Sequence, residues 1–240
     1  MSRTCVAHWI LVGLGIWAGV AYAAVATIII LNEQDPDKRA IILMGGCLLL
    51  VWCGIGGSAQ RLLRDRLVGW VRAIPIGWRT RFVLLCILMA LLEEAVTTGL
   101  TNLAPWFGGV TDAARITASK NYLEVVCLHS VVVFVPAFVA WAVILSFFDF
   151  APVEVMLLYG LTGWLAEWMT FGSDNIGMVG MWAFVYGLMV WLPAWTVPRG
   201  RNVRPARWWM WPIAAVGPFF AGIPFVPVVL LVRWLIGYQG

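Results

Sequence analysis

The sequence predicts an all-α fold, a polytopic transmembrane helical bundle of about seven helices, and three observations predict it. First, the 240 residues are 62% hydrophobic and 12% charged, with a mean hydropathy of +0.89. A soluble domain carries about 25% charged residues. Second, the apolar residues gather into runs close to or above the ~20 residues that a helix needs to cross hydrocarbon. Third, there are 16 tryptophans, a residue favoured at the headgroup boundary.

Seven apolar runs are expected to span, roughly 8–31, 40–57, 82–100, 123–148, 153–171, 175–197 and 208–236. In the first, "AYAA" resembles a signal-peptidase site. The run continues to Leu31, however, well past a signal h-region of about 7–15 residues, so an uncleaved helix is expected. The second and fifth runs are short and are expected to extend or tilt. The seventh contains Pro212, Pro218, Pro224 and Pro227 and is expected to be kinked or re-entrant. The polar stretches between the runs are about 20–25 residues at most, too short to bury a core. Residues 1–240 therefore read as one integral membrane domain.

Charge fixes an expected orientation. Arg61, Arg64, Arg66, Arg72, Arg79 and Arg81 fall in one loop, and Arg199, Arg201, Arg204 and Arg207 in another. With seven spans and a cytoplasmic N-terminus, both loops and Arg3 lie inside. Lys38, Arg39, Arg115, Lys120 and Arg233 are left outside. This satisfies the positive-inside tendency and places the chain in an inner or plasma membrane. Within 58–81, Leu62, Leu63, Leu67, Val68, Trp70 and Val71 mix with the arginines at near-helical spacing. That pattern predicts an amphipathic basic segment between helices 2 and 3, suited to an anionic leaflet or serving only as a solvated topology signal.

The formal charge of +4 belongs to these loops and is no nucleic-acid signature. Cys5, Cys47, Cys53, Cys86 and Cys127 form no CxxC pair and read as apolar side chains. Neither a phosphate-binding Gly-rich loop nor HExxH occurs. The sequence identifies no cofactor and assigns no metal ligand.

The stretch "LMALLEEAVTTGL" (88–100) breaks the apolar pattern. A carboxylate within hydrocarbon costs roughly 2.5–3.5 kcal/mol on insertion scales. Glu93 and Glu94 are thus expected to face the bundle interior. Glu94, Thr97, Thr98 and Thr101 recur at 3- and 4-residue spacing and form one stripe, which Asn102 extends. In the alternating topology His129 lies roughly 9 Å deep on the next span. Asn121 and Glu124 are at that span's mouth, and Glu167 is in the outer half of the fifth. Two adjacent carboxylates beside an imidazole are expected to share a proton or to flank a cation. The candidate catalytic residues are Glu93, Glu94 and His129. The candidate binding residues are Thr97, Thr98, Asn102, Asn121 and Glu167. For any one of them, interhelical hydrogen bonding is the competing role.

At these residues the sequence resembles the intramembrane glutamate proteases of the CAAX-protease and bacteriocin-processing family. "EEAVTT" corresponds to that family's EExxxR and "VVCLH" to its FxxxH. The resemblance implies that Glu93 activates a water, with Glu94 as its support and His129 positioning the water or an oxyanion. It departs at Thr98, where the family has Arg, and at Val125, where it has Phe. A third His is lacking, unless Glu167 or the Tyr186 region serves instead. Three readings follow: a membrane-embedded hydrolase; a proton- or cation-coupled transporter, with the carboxylates as a relay; and a noncatalytic subunit or scaffold whose helices pack on protein partners or pigments, with His129 as an axial ligand. In each, the lipid bilayer is the constant partner.

Overall fold

The computed structural model describes residues 2–235 and is almost wholly helical. The chain forms α1 (Arg3–Asn32), α2 (Pro36–Leu48), a π-helical segment (Leu49–Gly56), α3 (Gly57–Ala73) and α4 (Trp78–Asn102). After a loop come α5 (Tyr122–Glu124), a π turn (Val125–His129), α6 (Val131–Phe147), α7 (Pro152–Phe171) and α8 (Val179–Thr196). The last two helices are α9 (Met210–Gly222) and α10 (Val226–Leu235). The two-residue strands Phe148–Asp149 and Arg204–Pro205 pair in parallel.

All seven apolar runs are helical, but they are not equivalent. Among the described residues, five helices are long and apolar enough to cross a membrane: Arg3–Asn32, Pro36–Ala73, Trp78–Asn102, Ile176–Thr196 and Met210–Leu235. A sixth is reached if Tyr122–His129 and Val131–Phe147, which meet at 49°, form one broken span. The protein is therefore an integral membrane protein with several spans. α7 is the run left out, because it trades lipid-facing apolarity for contacts inside the bundle. The seventh run holds together as one length of helix, with its 3-10 turn at Ile223–Phe225 beside Pro224. The basic 58–81 segment is mostly a helical continuation of the second run. The helix from Pro36 to Ala73 has 38 residues, about 57 Å, nearly twice the hydrocarbon thickness of ~30 Å. Its basic end projects with Leu62 83% and Trp70 71% exposed.

α8 is the central column, packed on α7, α4, α1 and α3. Small residues bring α7 and α8 together. Gly160 lies against the backbone of Ala183, Gly163 against the Tyr186 ring, and Gly187 against the backbone of Met156. With no hydrophobic drive between helices in lipid, such close backbone approach supplies the packing. Trp141, Tyr159, Phe82 and Phe138 fill the remaining core. The buried Trp52 indole donates to Val185 O at 3.0 Å.

Helix ends identify two sides. On the basic side, Arg3 pairs with Glu154 at 3.0 Å, Arg79 donates to Ser146 Oγ at 2.6 Å, and Arg72 donates to Trp195 O at 2.8 Å. Arg201 donates to Leu145 O. On the opposite side, Asp35 caps α2. Asp37 accepts from Val110 N at 2.7 Å, from Thr111 N at 3.1 Å and from the Thr111 hydroxyl. In the loop anchored there, the Lys120 ammonium beside Asp112 lowers that carboxyl below its ordinary range. Asp37→Ala is expected to release this loop. Trypsin cleavage at Arg115 and Lys120 should then quicken while far-ultraviolet circular dichroism stays unchanged; unchanged digestion would deny Asp37 that role.

One further contact sets relative heights. The Trp17 indole donates to Gly177 O at 2.7 Å, so the middle of α1 meets the α7–α8 turn. α1 then runs on from Trp17 to Asn32, about 22 Å farther, and Val20, Ile28, Ile30 and Leu31 remain exposed along it.

Candidate functional site: buried carboxylates

Glu93 and Glu94 are interior as expected, 5% and 6% exposed. Successive helical residues diverge by about 100°, yet both are covered, because α4 is enclosed by α8, α6 and the second helix. The Thr97 hydroxyl lies 3.3 Å from Glu94 Oε2, 3.2 Å from Glu93 O and 3.2 Å from Glu94 O. A hydroxyl has one proton to donate, so Thr97 serves one of these acceptors at a time. The Ser130 hydroxyl is within hydrogen-bonding reach of Glu94.

Glu93 lies within electrostatic range of Glu94 and of Glu167 on α7, and the Cys53 thiol of the π segment lies near it. Tyr186 on α8 donates its hydroxyl to Glu167 Oε1. The Tyr186 ring is held edge-on by Phe134, with ring centroids 5.5 Å apart, and is backed by Gly163. α4 and α7 thus supply three carboxylates, while α8 and the α6 break supply hydroxyls. Among the described residues, none of the three carboxylates is ion-paired. Neither does any group of three or more His, Cys, Asp or Glu have the arrangement to hold a metal ion.

The other sequence candidates take different positions. His129 does not share the hydrogen bonds of the glutamates. Its Nδ1 is 2.7 Å from an Arg233 nitrogen, and Arg233 also donates to Leu128 O at 3.0 and 2.5 Å. A guanidinium only donates, so the imidazole accepts at Nδ1. The reason for the displacement is local. The π turn changes the residue-per-turn count just before His129, and the helix then bends. Ser130 rather than His129 is presented to Glu94. Helical periodicity carried straight through 123–148 cannot anticipate this.

The C-terminal part of the α4 stripe holds the loop that follows it. Thr101 Oγ1 accepts from Ile116 N at 3.2 Å and bonds the Thr117 hydroxyl at 3.0 Å. Asn102 donates to Lys120 O at 2.9 Å. Asn121 caps α5 by accepting from Leu123 N at 3.0 Å. The Thr98 hydroxyl, 3% exposed as a residue, has no hydrogen-bond partner among the described residues. Glu154, in the first turn of α7, is fully buried against Arg3. Asp174 is outside the described side chains. The cysteines are all unpaired, with only Cys86 buried and Cys127 exposed.

Ser130, Cys53 and Arg233 were not legible as neighbours of this region. Their one signal was adjacency to residues that were, since Ser130 follows His129. Comparison with protein-family models, curated proteins and solved structures finds no match to this chain.

Proposed function

We propose that this integral membrane protein is a proton-coupled transporter, with Glu93, Glu94 and Glu167 as its proton-exchanging group. The observation that carries the reading is the gathering of three carboxylates on α4 and α7, without a cationic partner among the described residues. Uncompensated carboxylates at membrane depth are costly, and they mark proton or ion pathways when they face a bundle interior. Tyr186, Ser130 and Thr97 give such a relay hydroxyls that donate to a carboxylate and accept in turn. A multivalent metal fits less well, since no converging ligand set is found among the described residues. π segments in the second and fourth spans, flanking the cluster at Cys53 and Ser130, are features often found at functional sites. The bulk of the basic residues lies at the N-terminus, α3 and the α8–α9 connection, which supports a cytoplasmic side there in an inner or plasma membrane.

The test is infrared difference spectroscopy of the reconstituted protein as the buffer pH is changed. A protonated-carboxyl carbonyl band that changes with pH is expected. Glu93→Gln, Glu94→Gln and Glu167→Gln should each alter it, and Tyr186→Phe should shift its frequency. A band indifferent to all three glutamine variants would sink the relay and leave a scaffold.

A second reading is a divergent intramembrane hydrolase, as the resemblance to glutamate proteases implies. One observation favours it: the buried Glu94 carboxylate has the Ser130 hydroxyl within reach at the helix break. Cleavage of a membrane-peptide substrate, lost in Glu93→Gln, would decide for it.

A further inference from the structure

We infer that the groove between α4 and α6 on the basic side is a seat for an anionic phospholipid. The groove, of about 570 Å³, is walled by Val83 and Leu84 on one side and by Val139, Val143 and Phe147 on the other. From Val139 to Phe147 it follows α6 for roughly 12 Å, long enough for the upper part of an acyl chain. Its lining is almost all apolar, and the surfaces that form it carry exposed Leu84, Val139 and Val143. The polar groups Arg79, Thr80 and Ser146 are at one end only. An amphiphile with its head at that end matches this division.

The charge at the head end selects the class. Trp78 gathers two guanidiniums, with Arg79 5.1 Å and Arg201 5.0 Å from its ring centroid. Asp149 lies 3.6 Å from Arg201 and offsets one of the two positive charges. One remains, equal and opposite to a single phosphodiester. Arg79 uses its Nε on Ser146 at 2.6 Å, and the guanidinium fork has four further N–H donors. A zwitterionic headgroup would bring an ammonium beside the same two guanidiniums, so an anionic headgroup is preferred. The basic side is also where a cytoplasmic leaflet concentrates anionic lipid.

The test is native mass spectrometry of the full chain released from micelles doped equally with phosphatidylglycerol and phosphatidylcholine. Wild type is expected to retain phosphatidylglycerol in preference. Arg79→Gln should lower that adduct about fivefold, and Arg79→Lys should largely keep it. Ser146→Ala, which removes the tether but not the charge, should retain the lipid. Val143→Trp, which fills the groove, should lose both lipids with helical circular dichroism preserved. Equal retention of the two lipids by wild type would overturn the assignment, as would an adduct unchanged by Arg79→Gln. Displacement by free glycerol phosphate would also overturn it, since the site would then read a phosphate and not a lipid.

Discussion

Gly160→Leu is expected to be the most damaging single substitution in the protein. A Cβ at position 160 would overlap the carbonyl of Ala183, which is backbone and buried in the second turn of α8. A flexible neighbour turns aside; a helix backbone moves only as a unit. The cost is thus at the upper end of overpacking penalties, about 3 kcal/mol or more. α7 and α8 would separate, and Tyr186 would draw away from Glu167. Thermal unfolding in detergent, followed by intrinsic fluorescence, should show a clear fall in midpoint. Gly99→Leu is the matched control, because no atom lies within 4 Å of a Cβ built there. Equal midpoints for the two variants would mean that the α7–α8 seam is looser than the close approach at Gly160 implies.

The second large effect is expected at the Arg3–Glu154 pair. Glu154 is fully buried, accepting from Arg3 Nε at 3.0 Å and from Ala151 N at 2.7 Å. Arg3 retains 23% of its side-chain exposure, so the two partners are unequal. Arg3→Ala strands a buried carboxylate with one backbone donor, at a cost of about 3 kcal/mol. Glu154→Gln leaves an arginine that still reaches water, so it should cost clearly less. In the double variant the stranded charge is gone, and stability should recover part of the loss from Arg3→Ala. Additive losses in this double-mutant cycle would show that the pair contributes nothing as a pair.

The fold was legible because membrane helices announce themselves by apolar length alone, and each of the seven runs proved helical. The role of α7 was less legible. Gly160 and Gly163 suit it to bind α8 and not lipid, but only the partner helix reveals which glycines meet a backbone. In the candidate site, Glu93 and Glu94 had to be interior, for an ionisable pair in a 25-residue helix has nowhere cheaper to go. The neighbours could not be read the same way. A π turn and a bend bring Ser130, not His129, to Glu94, and no residue pattern encodes that change of direction. Thr101 and Asn102 looked like part of one polar face with Glu94. They are continuous with it, but they serve the loop above.

The height difference set by Trp17 and Gly177 has a consequence for hydration. Between α7 and α8 the chain leaves regular helix at Gly172 and passes through the 3-10 turn Ser173–Met178. At that level α1 still has about 22 Å of apolar helix to run, its lipid-facing side chains calling for hydrocarbon alongside. Backbone amides and carbonyls freed by a turn at such depth are tolerated only inside protein or against water. The turn therefore calls for protein or water around it, and α1, which meets it at Gly177, is one side of that surrounding. Glu167 lies little more than one helical turn before Gly172, so whatever satisfies this irregular backbone also borders the carboxylates.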